Sequence, residues 1–154
     1  QQFRHAVGER IEAVPHIVGV NTHRGSLLTR HPGHMRWLMD EIAARGNLLF
    51  VDSYTTAQSV ALRIANEQGI DAARRDVFLD PDRHPDTIVR EFDRLKKIAT
   101  RRGFAIGIGH PYPATLDYLA RALPTLEAEG IELVGIRELV TIASGSRPLA
   151  TSAE

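Results

Sequence analysis

The stretch Phe104-Ala105-Ile106-Gly107-Ile108-Gly109-His110-Pro111-Tyr112-Pro113-Ala114-Thr115 decides the fold. Its apolar run from Phe104 to Ile108 predicts a strand that ends at Gly109-His110-Pro111. From about Pro113, apolar Leu116, Leu119, Leu123 and Leu126 recur at helical spacing as far as Gly130. A strand passing directly into a helix is the repeating half-unit of a parallel sheet. Pro111 and Pro113 fix the backbone after His110, which suits a side chain held in one orientation.

Working outward, the same alternation continues on both sides. Residues 17–20, Ile-Val-Gly-Val, predict a strand ending in Asn21-Thr22-His23. Between Pro32 and about Arg45, Met35, Leu38, Met39, Ile42 and Ala43 lie three and four residues apart. That is a helix, with Pro32 in its first turn and Gly46 as its stop. Leu48 to Val51 predicts a strand closed by Asp52-Ser53, and residues 57–68 return to helical spacing through Val60, Ala61, Ile64 and Ala65. Val77-Phe78-Leu79 is a short strand ending in Asp80. Asp86 or Thr87 opens a long helix with Ile88, Phe92, Leu95 and Ile98 on its inner face and Gly103 beyond it. On the far side, residues 131–135 predict a last strand and 137–143 a short helix. The pattern is β-α five times over, an α/β protein with a parallel sheet, open and doubly wound or closed as a barrel. Residues 1–143 form the expected domain, and 144–154 a small, polar, flexible tail.

Composition narrows the function classes. Lys+Arg 19 against Asp+Glu 19 leaves no basic excess, and no basic stripe is visible, so a nucleic-acid binder is not expected. With no cysteine, disulfide scaffolds, thiol catalysis and Cys-ligated zinc are excluded. No run approaches the ~18 apolar residues of a membrane span. The start, Gln1-Gln2-Phe3-Arg4-His5, has no apolar signal region and no initiator Met, so the chain is expected to have been trimmed or to begin internally.

In parallel α/β folds the chemistry lies at the carboxyl ends of the strands. The polar residues there are Asn21-Thr22-His23, Asp52-Ser53, Asp80 and His110. Two histidines and two aspartates on one rim fit a metal site or general acid–base work. Each also has a plainer reading: Asp52-Ser53 as a helix cap, His23 as a surface histidine, Asp80 as a turn former. Arg75-Asp76 leads into its strand and is read as a far-rim or ion-paired group. His31 and His34, with Pro32-Gly33 between them, read as a solvated helix terminus rather than a metal pair. Gly107-Ile108-Gly109 lacks the third glycine and the helix opening of a dinucleotide fingerprint. Neither a phosphate-loop motif nor a Gly-x-Ser-x-Gly elbow is present.

Four segments, Val18 to Ser26, Phe50 to Thr56, Arg75 to Asp80 and Ala105 to Thr115, resemble the divergent polysaccharide deacetylase family in order and spacing. The resemblance covers roughly residues 10–142, and the Gly-His-Pro segment is its most distinctive part. Where the family usually reads Asn-Asn-His-Met-Gly-Ser, this chain keeps Asn21, His23, Gly25 and Ser26 but has Thr22 and Arg24, the latter a bulky cation near the rim.

The resemblance implies a NodB-type (β/α) barrel, of which these residues are the carboxyl-terminal five β-α units. Strands bearing an Asp-Asp motif and a histidine motif would precede them. The implied activity is metal-dependent removal of acetyl groups from a carbohydrate, with a divalent metal, zinc first, activating water. His23 matches a metal ligand and His110 the general acid. Asp52 is taken as a catalytic carboxylate, and Asn21, Ser53, Asp80 and Tyr112 as substrate contacts. A periplasmic or secreted location follows from the same resemblance. The incomplete sheet edge is expected to pair with further strands or to self-associate. The competing reading is a non-catalytic carbohydrate-binding or cell-envelope protein on the same scaffold.

Overall fold

The computed structural model describes residues 2–23 and 25–145, with side chains from Ala6 onward. Arg24, expected near the rim, and residues 146–154 of the expected tail lie outside the described residues. The chain separates into two compact units, Gln1–Arg74 with Val140–Glu154, and Arg75–Leu139.

The first unit contains α1 (Gln2–Glu12), β1 (Gly19–Asn21), α2 (Ser26–Thr29), α3 (Pro32–Ala43), β2 (Leu49–Asp52), α4 (Ala61–Glu67) and β3 (Ala72–Arg74). Its three strands are parallel in the order β1-β2-β3. All four residues of the central β2 are buried, as expected of a parallel strand covered on both faces. Helix α3 buries Met35, Leu38, Met39 and Ile42 in a cluster with Phe50, Ile64, Ala65 and Ile70. Each such side chain contributes about 1.5–3 kcal/mol on leaving water.

The second unit contains β4 (Val77–Phe78), α5 (Pro85–Arg102), β5 (Gly107–Ile108) and α6 (Pro113–Ala122). Two 3-10 turns follow, Leu123–Thr125 and Glu127–Glu129. Strands β4 and β5 pair in parallel, with Val77 opposite Gly107 and Phe78 opposite Ile108. Val77, Leu79, Phe92 and Leu126 form the core, joined by Leu95, Tyr118, Leu119 and Ile131. Helix α7 (Ile136–Ala143) carries the chain back into the first unit.

Three helices begin the same way, with proline at the first helical position: Pro32 in α3, Pro85 in α5 and Pro113 in α6. The missing proline N–H would be unsatisfied there anyway, and the ring holds the residue before it extended. Indeed ψ is 107° at His31, 132° at His84 and 144° at Tyr112. His31 and His84 serve as N-caps, each ring Nδ1 accepting a backbone N–H, from His34 and Asp86 respectively. The His31–His34 pair is thus a capped helix terminus.

The mixed α/β class with parallel strands is as expected, but several elements differ. Residues 131–135 are not a strand. Ile131 N–H donates to Leu126 O and packs into the core, while Leu133 is exposed and Gly135 O accepts from Leu139 N–H at the start of α7. A strand needs a ladder partner, and this segment has none among the described residues. Conversely, Ala72–Arg74 is a strand despite its helix-favouring alanines, because it completes the outer ladder of β2. The expected helix from Pro113 to Gly130 becomes 3-10 after Ala122, since Pro124 supplies no N–H for the α-helical ladder. The amino-terminal helix α1 adds an element that the strand–helix alternation did not include.

Candidate functional site

The strand-end residues fall into two groups, one in each unit. In the first, the β2–β3 register sets Asp52 opposite Arg74. The Asp52 side chain is 0 % exposed. Its Oδ1 accepts from Tyr54 N–H at 2.9 Å, and its Oδ2 accepts from the Ser59 hydroxyl at 2.8 Å. Arg74 Nε lies 3.9 Å from the same Oδ2, and its guanidinium covers the Tyr54 ring at 3.8 Å. Tyr54 has φ 48, a left-handed conformation rare for a bulky residue. Asp52 is therefore not the cap of α4, which begins nine residues later; its carboxylate organises the loop that follows β2. Beside it, Asn21 Nδ2 donates to Ser53 Oγ at 2.7 Å, joining the ends of β1 and β2. His23 sits exposed on the loop after buried Thr22.

In the second unit, the β4–β5 register continued for two residues brings Asp80 beside His110. Asp80 is buried, and its carboxylate receives three donors. Oδ2 accepts His110 N–H at 2.7 Å and the Thr115 hydroxyl at 2.8 Å; Oδ1 lies 2.9 Å from His110 Nδ1. Burial pushes the Asp80 carboxyl upward. The hydrogen bonds from His110 backbone, His110 ring and Thr115 outweigh it and hold the group below its ordinary value. The charged carboxylate then fixes the ring with Nδ1–H toward it.

The His110 ring is 30 % exposed. It stacks on Tyr112 at 4.9 Å between centroids and on Phe78 at 5.6 Å. Gly109 packs against this network: a Cβ there would meet Thr115 Cγ2 at a slightly tight 3.3 Å and Asp80 Oδ2 at an ordinary 3.5 Å. Asp76, at the start of β4, is ion-paired to Arg102 at 2.6 Å and accepts Ile106 N–H at 2.8 Å, as its placement before the strand led one to expect.

Sequence reasoning missed Ser59, Arg74 and Thr115. Thr115 was legible in principle, as a hydroxyl in the first turn of the helix after the strand-end histidine. Arg74 was not, because its strand was not.

The expected zinc ion requires about three protein donors. Among the described residues no group of three or more His, Asp and Glu is placed to hold a metal, so these residues do not by themselves fit the ion. No helix among them is long and apolar enough to cross a membrane.

The fold and its strand-end residues define an α/β protein with parallel strands and a buried aspartate hydrogen-bonded to a part-exposed histidine at a strand end. Comparison with known sequences gives the family: the chain belongs to the divergent polysaccharide deacetylases, whose profile matches residues 1–140. An uncharacterized protein of Haemophilus influenzae is 38% identical over 137 residues, 86% of this chain and 48% of its own length. The uncharacterized protein YibQ of Escherichia coli is 34% identical over 125 residues, 81% of this chain and 39% of its own. A crystal structure of an uncharacterized Agrobacterium tumefaciens protein superposes with TM-score 0.76 at 30% identity, covering 79% of this chain and 49% of that one. The chain thus spans about half or less of the length of these relatives.

Proposed function

We propose that the chain supplies the general acid of a carbohydrate deacetylase, with His110 as that acid and Asp80 as the residue that positions it. The observation carrying this reading is the Asp80–His110–Thr115 network, in which a buried carboxylate orients a part-exposed imidazole. When the acetyl carbonyl is attacked by water, Nε2–H of His110 protonates the departing sugar amine or alkoxide, and the Asp80 carboxylate stabilises the imidazolium before transfer. Thr115 keeps Asp80 in place. Within the first unit, Asn21 and Ser53 carry an amide and a hydroxyl of the kind that binds sugars, and Asp52 holds the loop after β2 through Tyr54 and Ser59. The protonated form of His110 is the one that serves this step.

A divalent metal, zinc first, belongs to the proposal for the longer protein, with His23 as one donor and the others drawn from outside the described residues. The same holds for closure of the parallel strands into a NodB-type (β/α) barrel. There, further strands or a second copy would pair beside β1, which among the described residues ladders only with β2. A periplasmic or secreted location completes the reading.

The test is acetate release from acetylated oligosaccharides by the full-length protein and its His110→Ala variant. Loss of roughly 10²-fold or more is expected, the ordinary contribution of a positioned acid. Undiminished release overturns the assignment of His110. Sugar binding without any acetate release by the wild type turns the reading to a non-catalytic carbohydrate-binding protein. Metal analysis of the same full-length protein reads out the zinc proposal independently.

A further inference from the structure

Arg83 stands in the connection between β4 and α5 at φ 61, a conformation that long side chains rarely adopt. The connection is pinned on both sides of it. Asp82 Oδ1 accepts His84 N–H and Oδ2 accepts the Thr87 hydroxyl, both at 3.0 Å, while Pro85 opens α5 directly afterwards. Such an over-determined turn can hold a strained residue, and glycine would fit it without strain. The backbone therefore gives no reason for arginine; the side chain must.

The side chain is oriented by the site already described. Its guanidinium covers the Tyr112 ring at 4.1 Å, and Nη2 donates to the Tyr112 hydroxyl at 3.2 Å. Tyr112 in turn stacks on His110. Among the described residues no carboxylate is ion-paired with Arg83, since the carboxylate of neighbouring Asp82 is engaged by His84 and Thr87. An exposed guanidinium fixed by stacking, one ring removed from the acid and carrying no carboxylate partner, is a preorganised receptor for an oxyanion. We propose that Arg83 sets substrate specificity by binding a carboxylate or phosphate of an acidic sugar while His110 serves its acetyl group. The inference rests on the deacetylase reading for the second half of that sentence only.

The experiment uses full-length protein and three probes: methyl glucuronide, glucose 6-phosphate and neutral methyl glucoside. Ring resonances of Tyr112 and His110 are followed by NMR during titration. At least one acidic sugar is expected to bind wild type more tightly than the glucoside, and which one does so identifies carboxylate or phosphate as the group. Arg83→Gly is expected to weaken that binding about tenfold, equivalent to ~1.4 kcal/mol. Arg83→Lys is expected to recover part of it, and added salt to erase the preference. The urea midpoint of Arg83→Gly should equal or exceed that of wild type, because glycine relieves the turn; a lower midpoint would assign Arg83 a structural role and overturn the proposal. Equal binding of acidic and neutral sugars, or an unchanged preference in Arg83→Gly, overturns it too. Acetate release is scored separately. Its absence with every acetylated sugar overturns the deacetylase reading, whereas the charge preference at Arg83 stands or falls on the titrations.

Discussion

Replacing Asp80 by asparagine keeps the shape of the side chain and removes its charge, which isolates what the carboxylate contributes. Three donors converge on it: His110 N–H, the His110 ring and the Thr115 hydroxyl, at 2.7 to 2.9 Å. Hydrogen bonds to a charged acceptor contribute about 1.5–3 kcal/mol each, neutral ones about 0.5–1.5. The difference, about 1 kcal/mol per bond over three bonds, predicts that Asp80→Asn lowers stability by about 2–4 kcal/mol at pH 7. The pH dependence gives a sharper check. Asp80 titrates below its ordinary value in the folded protein, so its stabilisation is complete above the unfolded carboxyl pKa of about 3.9 and is lost as pH falls through the lower folded value. Urea unfolding of wild type and variant at several pH values should therefore show a gap that is full at pH 7 and shrinks in strong acid. A gap below about 1 kcal/mol at pH 7, or one that persists undiminished at pH 2, would refute the view that a charged, three-donor carboxylate anchors this loop.

Two other substitutions probe the framework around the site. Ser59→Ala removes one of the donors to the fully buried Asp52 and should destabilise by about 1–3 kcal/mol in urea unfolding, with Ser59→Thr largely restoring it. Gly103→Ala places a Cβ at φ 90 after α5 and should cost about 1–2 kcal/mol, seen as a lowered melting temperature with unchanged helix content.

What could be read from the sequence tracks how local each decision is. Helices α3 and α5 follow from their own apolar spacing, their initial prolines and the glycines beyond them, and both lie close to where the pattern puts them. Strands β2 and β4 are likewise short apolar runs that end in aspartate. The failures are decisions made by partners. Ala72-Ala73-Arg74 has no strand signal of its own and becomes β3 because Phe50 N–H donates to Asp71 O and the ladder continues from there. Residues 131–135 have the signal and no ladder among the described residues, and Ile131 turns instead into the core of its unit. In α6 a local signal was passed over: Pro124 ends the α-helical ladder whatever the leucine spacing says.

The same distinction separates the two strand-end aspartates, which look alike in the sequence. Asp52 is satisfied from nearby, by Tyr54 N–H two residues on and Ser59 seven residues on, so its burial is spent in shaping one loop. Asp80 is satisfied from 30 and 35 residues away, by His110 and Thr115, because the parallel register of β4 and β5 sets the ends of the two strands side by side. A carboxylate whose donors are local stabilises its own turn. One whose donors include a titratable ring across a ladder fixes that ring's tautomer and the direction of its outer nitrogen. Strand-end position alone nominates both residues. The identity of the partner distinguishes them: Asp80 holds the His110 ring across the ladder, whereas Asp52 holds Tyr54 and Ser59 within its own loop.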